Sequence, residues 1–180
     1  MRSITPFTVI FLSDSSGEEI LLLERSPQKR LFPGLYTGIG GHMDIREGEH
    51  DIWSAMQREL EEETEIPWGE ISEKKMVAQV SRREKDESIL MFVFSGIIEK
   101  AKFPLACTEG ILHWVKKENV FDLPLIPTSR LVLHNFFLGE NVEKLPKSNG
   151  EDGGVYLAVV NKDYSELLAF LHPYQAEMSG

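Results

Sequence analysis

The sequence predicts an α/β (α+β) fold, a mixed β-sheet with helices packed on it, and three observations predict it. Short apolar runs bounded by turn residues recur near the start, in the middle and near the end of the chain. Two longer segments, 51–65 and 127–138, space their apolar residues at the helical period instead. The two kinds of segment mix without the regular βαβα alternation of a doubly wound sheet.

In chain order, "TPFTVIFLS" (5–13) reads as a strand, "SSGEE" as a turn and "ILLLER" (20–25) as the returning strand of a hairpin. "SPQKRLFPGLY" (26–36) is a loop punctuated by Pro and Gly. "TGIGGHMD" (37–44) is a short strand broken by glycines, and "IREGEH" is a loop. A helix runs from about Asp51 to Glu65; "IPWG" ends it, because the residue before a proline resists the helical conformation. Strands follow at 74–83 and 88–98, joined by the polar "EKDE", and again at 111–117. "ENVFDL" is a short helical turn. The second helix, 127–138, starts near Thr128 or Ser129 and carries Leu131, Leu133, His134 and Phe137 at helical spacings. Residues 138–154, rich in glycine and charge, read as a mobile loop. Residues 155–161 form a late strand, and 164–174 stay open between helix and strand.

A chain of 180 residues suffices for one domain, taken as 1–180, with a sizeable core. Its 42% hydrophobic and 27% charged residues describe a globular chain. A net charge of −10 repels DNA, RNA and anionic membranes, so neither nucleic acid nor membrane is an expected partner. The longest mostly apolar run, "ILMFVFSGII", is too short to span a bilayer. Cys107 is the only cysteine, which excludes an intramolecular disulfide and favours a reducing, cytoplasmic setting. The opening "MRSITPFTVIFL" lacks a clear small-x-small cleavage site and reads as the first strand. The acidity would also repel a free nucleotide unless metal ions or local Lys/Arg compensate. It leaves open a metal-dependent enzyme acting on small phosphates.

The first helix holds the sharpest signal, "RELEEETEI" (58–66), with five glutamates between 59 and 65. On a helical wheel with Glu59 at 0°, Glu62 falls near −60° and Glu63 near +40°. Ile52, Ala55, Met56 and Ile66 fall on the same arc, so Glu59, Glu62 and Glu63 extend the apolar stripe. Arg58, Glu61 and Glu65 fall on the opposite side, where Glu61 and Glu65 read as a solvated face. Buried like charges at these spacings destabilise a helix unless a cation relieves them. Carboxylate oxygens are hard ligands that suit Mg²⁺ or Mn²⁺. Just upstream, Gly38, Gly40 and Gly41 mark a bulge, a close backbone approach or an ordinary tight turn, and no Walker P-loop or dinucleotide fingerprint is present.

Glycines, an acidic loop, then Arg-Glu-Leu-x-Glu-Glu in a helix resemble the Nudix box, G-x5-E-x7-R-E-U-x-E-E-x-G-U. Arg58, Glu59, Leu60, Glu62, Glu63 and Ile66 match its second half, and Gly41 its first glycine. Two departures stand out. Gly41 and Arg58 are separated by 16 residues where the pattern has 13, and Glu65 replaces the late glycine that helps end the helix. Glu47 has the family spacing from Gly41, while Glu49 has the local Gly-Glu context, and both are kept as the loop glutamate. The hairpin ending in Arg25 and the later "EGILHWV" strand also look like the Nudix layout.

The resemblance implies a Nudix-type α/β/α sandwich and Mg²⁺- or Mn²⁺-dependent hydrolysis of a nucleoside diphosphate linked to a further group. It implies Glu59, Glu62, Glu63, Glu49 and Glu47 as metal ligands, with a carbonyl at Gly40 or Gly41 able to join them. Glu62 or Glu63 would act as general base, or a later acid among Glu84, Asp86, Glu87 and Glu109. Arg58 would orient the glutamates. Gly40, Gly41, Arg25 and Trp114 would contact substrate, Trp114 by stacking on a base; His42 would reach a phosphate. The layout looks closest to the nucleoside-triphosphate branch that includes 8-oxo-dGTP enzymes. "DLPLIPTSRL" lacks the Trp-Pro-Asp-Asp stretch that reads the oxidised purine in the animal enzyme. The expected partner is therefore a small nucleotide, a (d)NTP or modified (d)NTP giving NMP and pyrophosphate. The alternatives are ADP-ribose or nucleotide-sugar pyrophosphatase, or a non-catalytic nucleotide-sensing module. The oligomeric state is left open, a homodimer being allowed.

Overall fold

A computed structural model describes residues 3–45, 48–83, 87–100, 106–138, 156–160 and 167–171. The chain opens with strands β1 (Ser3–Asp14), β2 (Glu19–Arg25) and β3 (Tyr36–Thr37). Helix α1 (Ile52–Thr64) follows, then β4 (Ser72–Arg83), β5 (Glu87–Ile98), β6 (Ala106–Cys107) and β7 (Gly110–Lys116). A 3-10 turn at Lys117–Asp122 leads to α2 (Pro127–Phe136). Strands β8 (Tyr156–Val160) and β9 (Leu167–Leu171) come last. Among the described residues nine strands form one mixed sheet in the order β6-β7-β2-β1-β5-β4-β8-β9, with β3 paired to β2. β1 lies parallel to β5, β4 parallel to β8, and the other pairs are antiparallel.

The helices cover opposite faces of this sheet. Met56 and Leu60 of α1 pack on Ile10, Leu12, Leu21, Leu23 and Phe94. Leu131, Val132, Leu133 and Phe136 of α2 pack on Val9, Phe11, Ile20 and Leu22. Strands buried on both sides carry unbroken apolar runs, which explains "VIFL" in β1 and "ILLL" in β2. Each fully buried side chain of this size contributes about 2 kcal/mol through removal from water. The α/β/α sandwich expected from the sequence is the one observed.

Three expectations gain detail. The strand expected over 37–44 is paired to β2 only at Tyr36–Thr37. Beyond it, isolated bridges Ile10↔Ile39 and Phe7↔His42 carry the glycine segment along β1. Residues 164–174, open between helix and strand, hold β9. The loop expected at 138–154 lies outside the described residues apart from Leu138.

Candidate active site

Helix α1 starts where Asp51 accepts hydrogen bonds from the Ser54 backbone N–H (2.8 Å) and hydroxyl (2.7 Å). It ends at Glu65, which adopts a left-handed conformation (φ 58°, ψ 11°) and donates its N–H to the Glu61 carbonyl. The position where the Nudix pattern has glycine thus has the backbone shape that glycine favours. Glu61 does not sit in bulk water as the wheel suggested. Its Oε1 accepts the Trp68 N–H at 2.9 Å and ties the chain after the helix back onto it.

The other three glutamates divide. Glu59 has a side chain only 13% exposed and Glu63 is half-buried, whereas Glu62 is 63% exposed. Glu62 therefore lies at the solvent edge of the arc and not beneath it. Burial raises the Glu59 carboxyl above its ordinary range, opposed by the Arg58 charge. Glu63 is pushed up to about 8, first by burial and then by the charges of Glu59 and Glu109. The Gly40 N–H, 3.3 Å from Glu63 Oε2, and the Arg25 charge act in the opposite direction.

Arg58, expected to orient the glutamates from the outer side of the helix, has its guanidinium at the hub of the site. Nε and Nη2 fork onto both oxygens of Glu49 at 2.9 and 3.0 Å. Nη1 reaches Glu59 Oε1 at 2.9 Å and Glu62 Oε2 at 3.0 Å, and Nη2 also donates to the His42 carbonyl. The long side chain curls back over the helix from a backbone position that points away. Glu49 Oε2 also accepts the Asp44 N–H at 2.7 Å, and the Arg58 fork holds the Glu49 carboxyl below its usual range. Of the two loop glutamates, Glu49 is thus in the site, and Glu47 lies outside the described residues.

The glycines form the wall facing these carboxylates. Gly40 has φ 145°, and a Cβ there would come within 2.9 Å of the Thr8 carbonyl carbon. A Cβ on Gly41 would meet the Glu59 carboxylate, 2.7 Å from its Cδ. The Gly41 carbonyl accepts the Thr8 N–H at 2.9 Å, so it is engaged with β1, and Gly40 offers the glutamates its N–H.

Arg25 ends β2 with Nε on the Leu31 carbonyl, near enough to Glu63 to act on its charge. Glu109, one of four later acids considered as general base, precedes β7 and pairs with Lys29. The Glu63 carbonyl accepts the Thr108 N–H at 2.9 Å, and the Glu109 carbonyl accepts that of Ser26 at 2.9 Å. No box spacing marks Glu109; its place just before "GILHWV" was the only clue. Glu84 and Asp86 lie outside the described residues, and Glu87 is the first residue of β5. Trp114 is not brought to the site. It pairs with Leu21, four strand positions from the Gly110–Arg25 pair, and packs on the α1-side core with Lys100 over its ring. The His42 ring rests on Phe7, and its carbonyl holds Arg58.

Among the described residues no three acidic, His or Cys side chains form a ready-made metal cage. Mg²⁺ does not require one, since it is commonly held by one or two carboxylates with waters and substrate phosphates. Among the described residues no helix is long and apolar enough to cross a membrane.

The α/β/α sandwich presents helix glutamates to a glycine wall, with an arginine fork behind them. The sequence matches the NUDIX domain over residues 5–152, and the chain belongs to the Nudix family of hydrolases, which generally use a divalent metal. No curated protein sequence matches it. Among solved structures it is similar to a MutT protein from Bacillus halodurans, with TM-score 0.62 and 18% identity over 93% of this chain and 97% of that one. A MutT protein from Methanosarcina mazei Go1 gives TM-score 0.59 and 21% identity over 81% of this chain and 98% of that one. The NUDIX domain of Shewanella oneidensis NrtR, complexed with ADP ribose, gives TM-score 0.51 and 18% identity over 69% of this chain and 79% of that one. At these identities the likeness is one of fold.

Proposed function

We propose that the chain hydrolyses a phosphoanhydride bond of a nucleoside diphosphate linked to a further group, most readily a (d)NTP or modified (d)NTP. Water attacks a phosphorus of the α–β bridge, that phosphoanhydride bond breaks, and NMP and pyrophosphate leave. The observation that carries this reading is Glu63, a half-buried carboxyl among two further carboxylates, close to Arg25 and the Gly40 N–H. Such a group keeps a proton unless a cation replaces it. That donor set fits a hard divalent ion, Mg²⁺ or Mn²⁺.

Glu59 and Glu63 would hold that ion from the inside and Glu62 from the solvent edge. When bound, it would neutralise phosphate charge and lower the pKa of the attacking water. Glu49 has both oxygens engaged, so we assign it to fixing Arg58, and Arg58 to fixing Glu59 and Glu62. Arg25, near enough to Glu63 to act on its charge, would take a phosphate oxygen. The proton of the attacking water would pass to Glu62, Glu63 or Glu109. The lone cysteine and the absence of an apolar spanning helix among the described residues suit a cytoplasmic enzyme of one domain.

ADP ribose, present in the NrtR complex, is the second substrate to test. The test is formation of nucleoside monophosphate, read by anion-exchange chromatography, from a panel of (d)NTPs, oxidised (d)NTPs, ADP-ribose and nucleotide sugars with Mg²⁺. Turnover of one of them, lost in Glu62→Gln and Glu63→Gln, supports the reading. Binding without turnover of any of them would favour a nucleotide-sensing module instead.

A further inference from the structure

Between Glu24 and Asp44 the chain has no acidic residue, although it carries 29 of them in all. The same stretch holds Arg25, Lys29 and Arg30 within six positions. At the tip of this cationic loop, Leu31 and Phe32 are 57% and 43% exposed. Phe32 has φ 55°, a left-handed conformation that disfavours bulky side chains and persists only where the surroundings impose it.

The surroundings here are the site itself. Arg25 Nε donates to the Leu31 carbonyl at 3.1 Å, and the Gly34 N–H donates to the Arg25 carbonyl at 3.0 Å. Lys29 pairs with Glu109, and the Ser26 N–H donates to the Glu109 carbonyl. Both anchors, Arg25 and Glu109, act on the charge of Glu63. A strained backbone thus holds an aromatic ring and an aliphatic side chain in water, on a loop anchored to the carboxylate site and flanked by cations. Folding gains nothing from exposing them, whereas a ligand with phosphates at one end and a flat apolar group at the other is complementary to the whole arrangement.

We propose that Phe32, backed by Leu31, is the stacking surface for the aromatic base of the nucleotide, whose phosphates lie toward Arg25 and the glutamates. This rests on the nucleotide reading above and adds the part of the chain that recognises the nucleoside. Stacking on a π-face tolerates any base, so this contact supplies affinity for nucleosides as a class.

The test is calorimetric binding, with Mg²⁺, of two probes: adenosine α,β-methylene triphosphate, and inorganic tripolyphosphate, which has no base. Asn accepts the left-handed conformation without a ring, so Phe32→Asn separates the ring from the backbone. Phe32→Asn is expected to weaken the nucleotide roughly tenfold and leave tripolyphosphate within about twofold. Phe32→Trp should bind the nucleotide within about threefold of the parent, since it keeps a stacking face. If Phe32→Asn binds the nucleotide as well as the parent, or weakens both probes alike, the stacking role is overturned while the site reading stands. A parent protein that binds neither this nor any other nucleotide overturns both.

Discussion

Replacing Glu63 with Gln is expected to stabilise the metal-free protein at neutral pH while abolishing its hydrolytic activity. Burial and the charges of Glu59 and Glu109 raise the Glu63 carboxyl from an ordinary 4.5 to about 8. A raised carboxyl pKa means that the folded state binds the proton more tightly than the unfolded chain. Its contribution to stability is complete below pH 4.5 and is lost as pH rises toward about 8. At about 1.4 kcal/mol for each pH unit between the two values, the loss is roughly 3 kcal/mol at pH 7 and about 5 kcal/mol above pH 9. Glutamine has no charge to bury and keeps an oxygen for the Gly40 N–H. Urea denaturation followed by tryptophan fluorescence, in EDTA at pH 5 and pH 8, measures the difference. The parent should lose several kcal/mol relative to Glu63→Gln between these pH values. Mg²⁺ added at pH 8 should then raise the stability of the parent and not that of the variant, because it binds the folded carboxylate set. Parallel pH profiles for the two proteins would show that Glu63 ionises freely, and the case for a cation at this position would fall with them.

Three further outcomes are expected. Glu65→Gly removes a side chain from a left-handed position with φ 58°; it should add about 1 kcal/mol of stability, or roughly 2–4 °C in Tm, with activity unchanged. Calorimetry decides this, and a lower Tm would mean that the Glu65 side chain matters more than its backbone. Gly41→Ala places a methyl against the Glu59 carboxylate. The fold should survive, since a side-chain end can move, while kcat/KM falls roughly a hundredfold because Glu59, a proposed metal ligand, is misplaced. Arg58→Lys replaces the fork on Glu49 by a point charge, so kcat/KM should drop about tenfold or more with circular dichroism unchanged. A fully active Lys variant would limit Arg58 to neutralising charge.

Much of the fold was legible because burial on both sheet faces forces unbroken apolar runs, as in "VIFL" and "ILLL", and because glycine and proline punctuate the turns. The direction of the Glu59 and Glu63 side chains was legible for a related reason: both continue the stripe of Ile52, Ala55 and Met56. The wheel failed where side-chain length overrides backbone angle. Arg58 starts on the outer side and reaches back to four partners, and Glu61 bends to cap Trp68. A wheel places Cα–Cβ directions and says nothing of atoms five bonds further out. Glu49 could not be separated from Glu47 by counting, since the loop is longer than the pattern. The place of Glu49 in the site depends on the Arg58 fork and the Asp44 N–H, which are tertiary contacts, and Glu47 lies outside the described residues. Trp114 shows the reverse, a residue type suggestive of stacking that the alternation of β7 packs, partly buried, against the α1-side core.

The joint between Ser26, Glu63 and Thr108–Glu109 is built from main-chain amides and carbonyls alone. Three segments distant in sequence are therefore registered against one another by atoms that every residue except proline possesses. Exchanging the side chains at 26, 108 or 109 leaves those two links in place. The rim of the cleft can then be rewritten residue by residue, to admit a different leaving group or base, while α1 and the ends of β2 and β7 keep their spacing. A library confined to 27–33 and 108 would vary this rim while sparing Glu109, a candidate proton acceptor of the proposed reaction.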